Sequence, residues 1–188
     1  MAVLRIFLAG WLYVATTFLP VAAHADDSLQ LAEQEIKAGL LYNFLKYTQW
    51  PPASMERLPK IIVCIFGDDP FGGYLQPMSG RTVNQREITI HSVHDISDAL
   101  NCHLLFINAS EKDSWPQLHN FLKGKPVLTV SDFSGFATSG GMIEFGRKDS
   151  HINVEFNAQA AAAAQLQVQD RLLRLVTVVH PASIEGGR

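Results

Sequence analysis

Gly67-Asp68-Asp69 sets two carboxylates directly after an apolar run, a position where α/β proteins place ligand sites and where paired acids could hold Mg²⁺. An acid pocket of the phospho-acceptor type needs a third carboxylate after the third strand, where Asn108 stands instead. The triplet reads better as a capped polar turn before Pro70, because Asp and Pro are ordinary turn formers. His91 and His94 form an HxxH, but strand residues three apart point to opposite faces, and no Glu lies between them as in a zinc protease. His103, His119, His151 and His180 are scattered and read as surface or satisfied core histidines. Ser131, Ser134 and Ser139 share a glycine-bearing loop without a G-x-S-x-G elbow. Gly140-Gly141 resembles half a phosphate loop that lacks its lysine, and reads as a tight turn. No residues are assigned to catalysis, to a metal or to a cofactor.

The elements that must position these residues follow from periodicity. Residues 29–49 read as a helix in which Ile36, Leu40, Phe44 and Tyr47 recur at helical spacing, widened by Leu41 and Leu45. Trp50-Pro51-Pro52 ends it. Lys60–Phe66 is a short, nearly continuous apolar run, the pattern of a strand buried on both faces. Further strands are expected at Arg86–Val93, His103–Ile107 and Val127–Val130, and a hairpin at Met142–Phe145 and His151–Phe156. Short helical segments are expected at Phe71–Pro77 and Asp95–Leu100. Ser114 is placed to cap a helix to Leu122, which Gly124 closes. Asn157 is placed to cap a long final helix through the alanine run to about Val176. Helices alternating with short apolar strands predict a three-layer α/β sandwich, a mostly parallel mixed sheet of about six strands flanked by helices.

The N-terminus narrows the function classes. Arg5 is the only charge before Asp26, Ile6–Val21 is almost wholly apolar, and Ala23-His24-Ala25 gives a small-x-small cleavage pattern. Residues 1–25 are therefore expected to be a signal peptide cleaved near Ala25, leaving residues 26–188 as one domain working in the periplasm. Enzymes that depend on ATP or NAD lose weight there. The net charge of -3, with no basic run, argues against a nucleic-acid partner. The only two cysteines, Cys64 and Cys102, read as a disulfide in an exported chain, and their spacing excludes a CxxC redox motif. What remains is a set of loop aromatics: Trp50, Phe71, Tyr74, Trp115, Phe133 and Phe136. Either these rings pack back onto the sheet or they form an exposed protein-binding patch. The second reading assigns partner binding to Phe133, Phe136 and Met142.

The ordered segments KAGLLYNFLKYTQWP (Lys37–Pro51), IVCIFGDDPFG (Ile62–Gly72), GRTV (Gly80–Val83), CHLLFIN (Cys102–Asn108), PVLTVSDFSGFATSGGMIEF (Pro126–Phe145) and INVEFNAQAAAAAQLQVQDRLLRL (Ile152–Leu175) resemble the YfiR-like periplasmic proteins. The resemblance implies a non-enzymatic repressor in a YfiBNR-type cyclic-di-GMP system. Its partner would be the periplasmic sensor domain of an inner-membrane diguanylate cyclase, and the output biofilm formation. It further implies release by an OmpA-like outer-membrane lipoprotein, and often a homodimer. The best-known member carries a second cysteine pair near the GGMIEF segment, which this chain lacks. The loop from Phe133 to Met142 is therefore expected to be less rigid. Two rival readings stand beside this one. The first is a periplasmic small-ligand sensor or solute-binding module, using a crevice at Gly67–Pro70 and Ser131–Phe136 to feed a receptor such as a histidine kinase. The second is a hydrolase with an unrecognised site.

Overall fold

The computed structural model describes residues 24–149, 151–174 and 176–179. The expected signal segment lies outside them except for His24 and Ala25, which open the first helix, and His180 also lies outside. Among the described residues no helix is long and apolar enough to cross a membrane.

Helix α1 (His24–Tyr47) turns Leu41, Phe44 and Leu45 fully inward, with Thr48 continuing the same face in β1 (Thr48–Gln49). This stripe is rotated from the expected one: Ile36 is 55% exposed and Leu40 only half-buried. Residues 37, 41, 44, 45 and 48 satisfy helical spacing as well as 36, 40, 44 and 47 do. The buried ion partners of Lys37, described below, decide between the two registers. Helix α2 (Pro52–Arg57) starts on a proline, whose missing N–H costs nothing in a first turn.

The strands are β2 (Ile61–Phe66), β3 (Thr82–Val83), β4 (Arg86–Val93), β5 (Leu104–Ile107), β6 (Leu128–Ser131), β7 (Ile143–Lys148), β8 (His151–Asn157), β9 (Gln167–Val168) and β10 (Thr177–Val179). Eight form one sheet in the order β10-β8-β7-β6-β5-β2-β4-β3, while β1 and β9 pair separately. Pairing is parallel from β7 through β6, β5 and β2 to β4, and antiparallel at β7–β8 and β3–β4. The mixed α/β sandwich is thus as predicted, with β3 and β10 as short edge strands beyond the six expected. Strand β3 was hidden because its hairpin turns on Asn84-Gln85, both at positive φ, rather than on the familiar Asn-Gly.

Alternation along the central strands fills two cores. Ile61, Val63, Ile65, Leu104 and Phe106 face α1, whereas Cys64, Phe66, Leu105 and Ile107 face helix α3 (Trp115–Leu122). Ser114 does not cap α3; its hydroxyl donates to Glu111, while Gly124 at φ +70° closes the helix as expected. Asn157 does cap the alanine helix, its Oδ1 accepting from Ala160 N–H at 2.9 Å.

The long final helix is not formed. Helix α4 (Ala158–Ala163) stops where Gln165 adopts φ 59°, with Leu166 N–H donating to Ala161 O and Gln165 N–H to Ala162 O. This is a Schellman termination with glutamine in the place glycine usually takes. The alternating residues that follow pair as β9 with β1, and α5 (Asp170–Leu173) then sends Leu172 into the core.

Cys64 and Cys102 form a disulfide with Cα atoms 5.8 Å apart, across neighbouring β2 and the turn that enters β5. Closing a loop with a sequence separation of 38 stabilises the fold by about 4 kcal/mol on the chain-entropy account. Cys64→Ser is therefore expected to cost about 2–5 kcal/mol in denaturant unfolding. Reductant should produce a similar loss in the native protein and none in the variant. Equal stability of the two oxidised proteins would contradict this assignment.

Candidate functional site

The β6–β7 connection, expected to be the exposed aromatic loop, is tied down from several sides. Glu144, on β7, is buried and accepts from Gly135 N–H at 3.1 Å and Ala137 N–H at 3.0 Å. Asn157 donates to Ala137 O, and Met142 N–H donates to Thr129 Oγ1. Ser131 Oγ donates to Ile107 O, and Ser139 Oγ donates to Phe136 O while accepting from Trp115 Nε1–H. The Phe136 ring is 0% exposed, 4.4 Å from the Trp115 ring and 5.1 Å from Phe133. Gly141 lies over that ring, where a Cβ would come within 2.3 Å of it. The segment expected to be less rigid for want of a second cysteine pair is thus held by a carboxylate staple instead.

A charged cluster joins this loop to α1. Lys37 is 5% exposed, and its Nζ lies 3.0 Å from Glu33 and 3.2 Å from Asp132, the residue after β6. Arg147, on β7, pairs with the other oxygen of Glu33. Burial alone would raise the Glu33 carboxyl pKa, but the Lys37 ammonium and Arg147 guanidinium outweigh it and hold the carboxyl below its ordinary value. Beside this cluster the exposed side of α1 and the β7–β8 hairpin enclose a groove of about 610 Å³. Leu29, Ala32, Ile36 and Leu40 form one wall and Ile152 and Val154 the other, with Arg147 and His151 at the rim. Leu29 is 66% exposed and Ile36 55%, so two of the exposed large apolar side chains of the described residues line this groove.

At the opposite end of β5, His103 is 1% exposed. Ile62 N–H donates to its Nδ1 at 3.0 Å, so the ring proton resides on Nε2, and Trp50 Nε1–H donates to its carbonyl. Desolvation first, then Arg57 and Arg86, push the imidazole pKa down to about 4.

Phe133, Phe136 and Met142 are all buried, so they form no exposed patch. The rings pack between α3 and the sheet because the strand side chains on that face need covering. Trp50, Phe71 and Trp115 are buried as well. Asp68 and Asp69 stay exposed, and the Asp69 carboxylate accepts from Phe71 N–H as in a capped turn. Asn108 bridges that turn to the next by donating to Asp68 O. His91 and His94 are exposed, and among the described residues no cluster of three His, Cys, Asp or Glu is arranged for a metal ion. Sequence reading missed Glu33, Lys37, Asp132, Glu144 and Arg147. The available signal was Lys37 standing in line with Leu41, Phe44 and Leu45, a charge within an apolar stripe.

Residues 34–177 match the family described as DUF4154, YfiR/HmsC-like. The chain belongs to that family. The matched span runs from within α1 to the first residue of β10 and takes in the disulfide, the stapled loop and, of the charged cluster, Lys37, Asp132 and Arg147, with Glu33 one residue before it. No curated protein matches the YfiR/HmsC-like chain. Among solved structures it is similar to the ABC domain in complex with L-Trp from Streptococcus pneumonia, with 7% identity and a TM-score of 0.45. That match covers 68% of this chain and 58% of the other, and carries no functional argument.

Two predictions follow from this geometry. Glu144→Gln keeps the side-chain volume but turns an amide toward one of two backbone donors. It should cost about 1–3 kcal/mol and speed hydrogen exchange at the Gly135 and Ala137 amides. Unaltered exchange there would show that the staple does not hold the loop. His103 titrates from an ordinary 6.5 when unfolded and about 4 when folded. As pH falls from 6.5 the unfolded chain takes up a proton that the folded one refuses, so stability declines down to about pH 4 and the contribution levels off below it. Melting curves across that range should fall less steeply for His103→Asn, which can still accept from Ile62 N–H.

Proposed function

We propose that this protein is a periplasmic, non-enzymatic regulator that represses an inner-membrane diguanylate cyclase by contact with its periplasmic sensor domain. The observation that carries this reading is the YfiR/HmsC-like match over residues 34–177, since that family is one of regulators. The disulfide supports an oxidising compartment. Among the described residues the two most buried charges support binding over turnover, because Lys37 and Glu144 are both engaged in holding α1 and the loop in place. We assign the contact to the groove between α1 and the β7–β8 hairpin, where exposed apolar side chains lie beside the Glu33–Arg147 pair. An outer-membrane lipoprotein of the OmpA type is the proposed releasing partner, and two copies of the chain form the proposed repressing unit.

Deleting the gene in its host should raise cyclic-di-GMP and biofilm formation, and complementation with the intact gene should reverse both. Ile36→Glu lies outside the core and should leave the melting temperature unchanged. It should nevertheless weaken binding to the sensor domain by about 1–2 kcal/mol or more, as loss of an apolar anchor does. Unchanged cyclic-di-GMP in the deletion strain rejects the cyclase link, whereas full binding by the Ile36→Glu protein rejects the groove.

A further inference from the structure

We propose that the cleft between α2, the start of β5 and the start of β6 binds a small organic carboxylate, with Arg57, Lys125 and the Nε2–H of His103 holding its oxygens. The cleft encloses about 330 Å³, at the lower end of the range of small-molecule pockets. Arg57 enters from α2 and Lys125 from the turn before β6, and no Asp or Glu is among its lining residues. Leu58, Leu100 and Val127 supply apolar wall. Two cations beside an apolar surface suit a singly charged acid with a carbon body.

The second, independent observation is His103. It lines the cleft, is 1% exposed, and its Nε2 has no hydrogen-bond partner. Because Nδ1 accepts from Ile62 N–H, Nε2 must be the donor, and a buried donor without an acceptor is costly. A carboxylate oxygen supplies that acceptor. Arg57 is oriented by donating to Leu100 O and Asn101 Oδ1, which uses only part of its five donors. The other walls differ in stiffness. Cys102 is fixed by its disulfide, whereas α2 contributes no buried side chain, so α2 is the wall that can yield to admit a ligand. This site stands independently of the protein partner proposed above.

The test uses the oxidised exported protein with sodium benzoate as probe, benzamide as its neutral isostere and inorganic phosphate as the competing anion. Calorimetry should show benzoate binding at least roughly tenfold more tightly than benzamide. The His103 Nε2–H resonance should move on addition of benzoate. Lys125→Gln should weaken benzoate by about tenfold without changing the melting temperature of the free protein. Arg57→Gln should weaken benzoate as much, and Arg57→Lys should recover part of the loss, which separates lost charge from a disturbed turn. Absence of benzoate binding at millimolar concentration would overturn the proposal. So would equal affinity for benzamide, undiminished binding by the Arg57→Gln/Lys125→Gln protein, or phosphate binding with benzoate excluded.

Discussion

Strands β2 and β5 carry apolar side chains toward both sides of the sheet, so neither side can be left to water. That demand sets the layers. Helix α1 covers one side with Leu41, Phe44 and Leu45, and α3 covers the other with Trp115, Leu118 and Leu122. Helix α3 is only eight residues long, and the loop rings of Phe133 and Phe136 extend its cover on that side. The same demand explains why these aromatics are unavailable for docking: they complete a core that a short helix leaves unfinished.

Covering the sheet from the α1 side has a different result. The helix is long, 24 residues, and its stripe is narrower than its apolar content. Leu29 and Ile36 remain outside, next to Ile152 on the hairpin. Apolar side chains left over from a completed core, set beside an ordered charge cluster, are the feature on which the proposed contact rests.

The central strands, the hairpin and the Asn157 cap were legible because each rests on a local pattern, and the cysteine pairing because an exported chain with two cysteines offers one pair. The apolar runs at Ile61–Phe66 and Leu104–Ile107 admit few other readings. The end of α4 was not legible, because alanine-rich sequence favours helix and the residue that stops it is a glutamine. The orientation of α1 was ambiguous by a single residue, and a tertiary ion pair between Lys37 and Asp132, 95 positions apart, resolved it. Candidate site residues of this kind depend on partners distant along the chain, and spacing alone does not reveal them. Loop aromatics, conversely, look available in sequence until the helix opposite proves too short to cover its side of the sheet.

The two cross-links that fix this molecule lie on opposite sides of the sheet and differ in chemistry. The Cys64–Cys102 bridge, on the α3 side, is covalent and yields to electron donors. The Lys37 network, on the α1 side, is ionic and yields to protons through Glu33. A thiol reductant therefore acts on the bridge alone, whereas acid reaches the Lys37 network and the buried His103 beside Cys102 together. Reduction singles out one cross-link, and acid loosens the domain from both sides of the sheet.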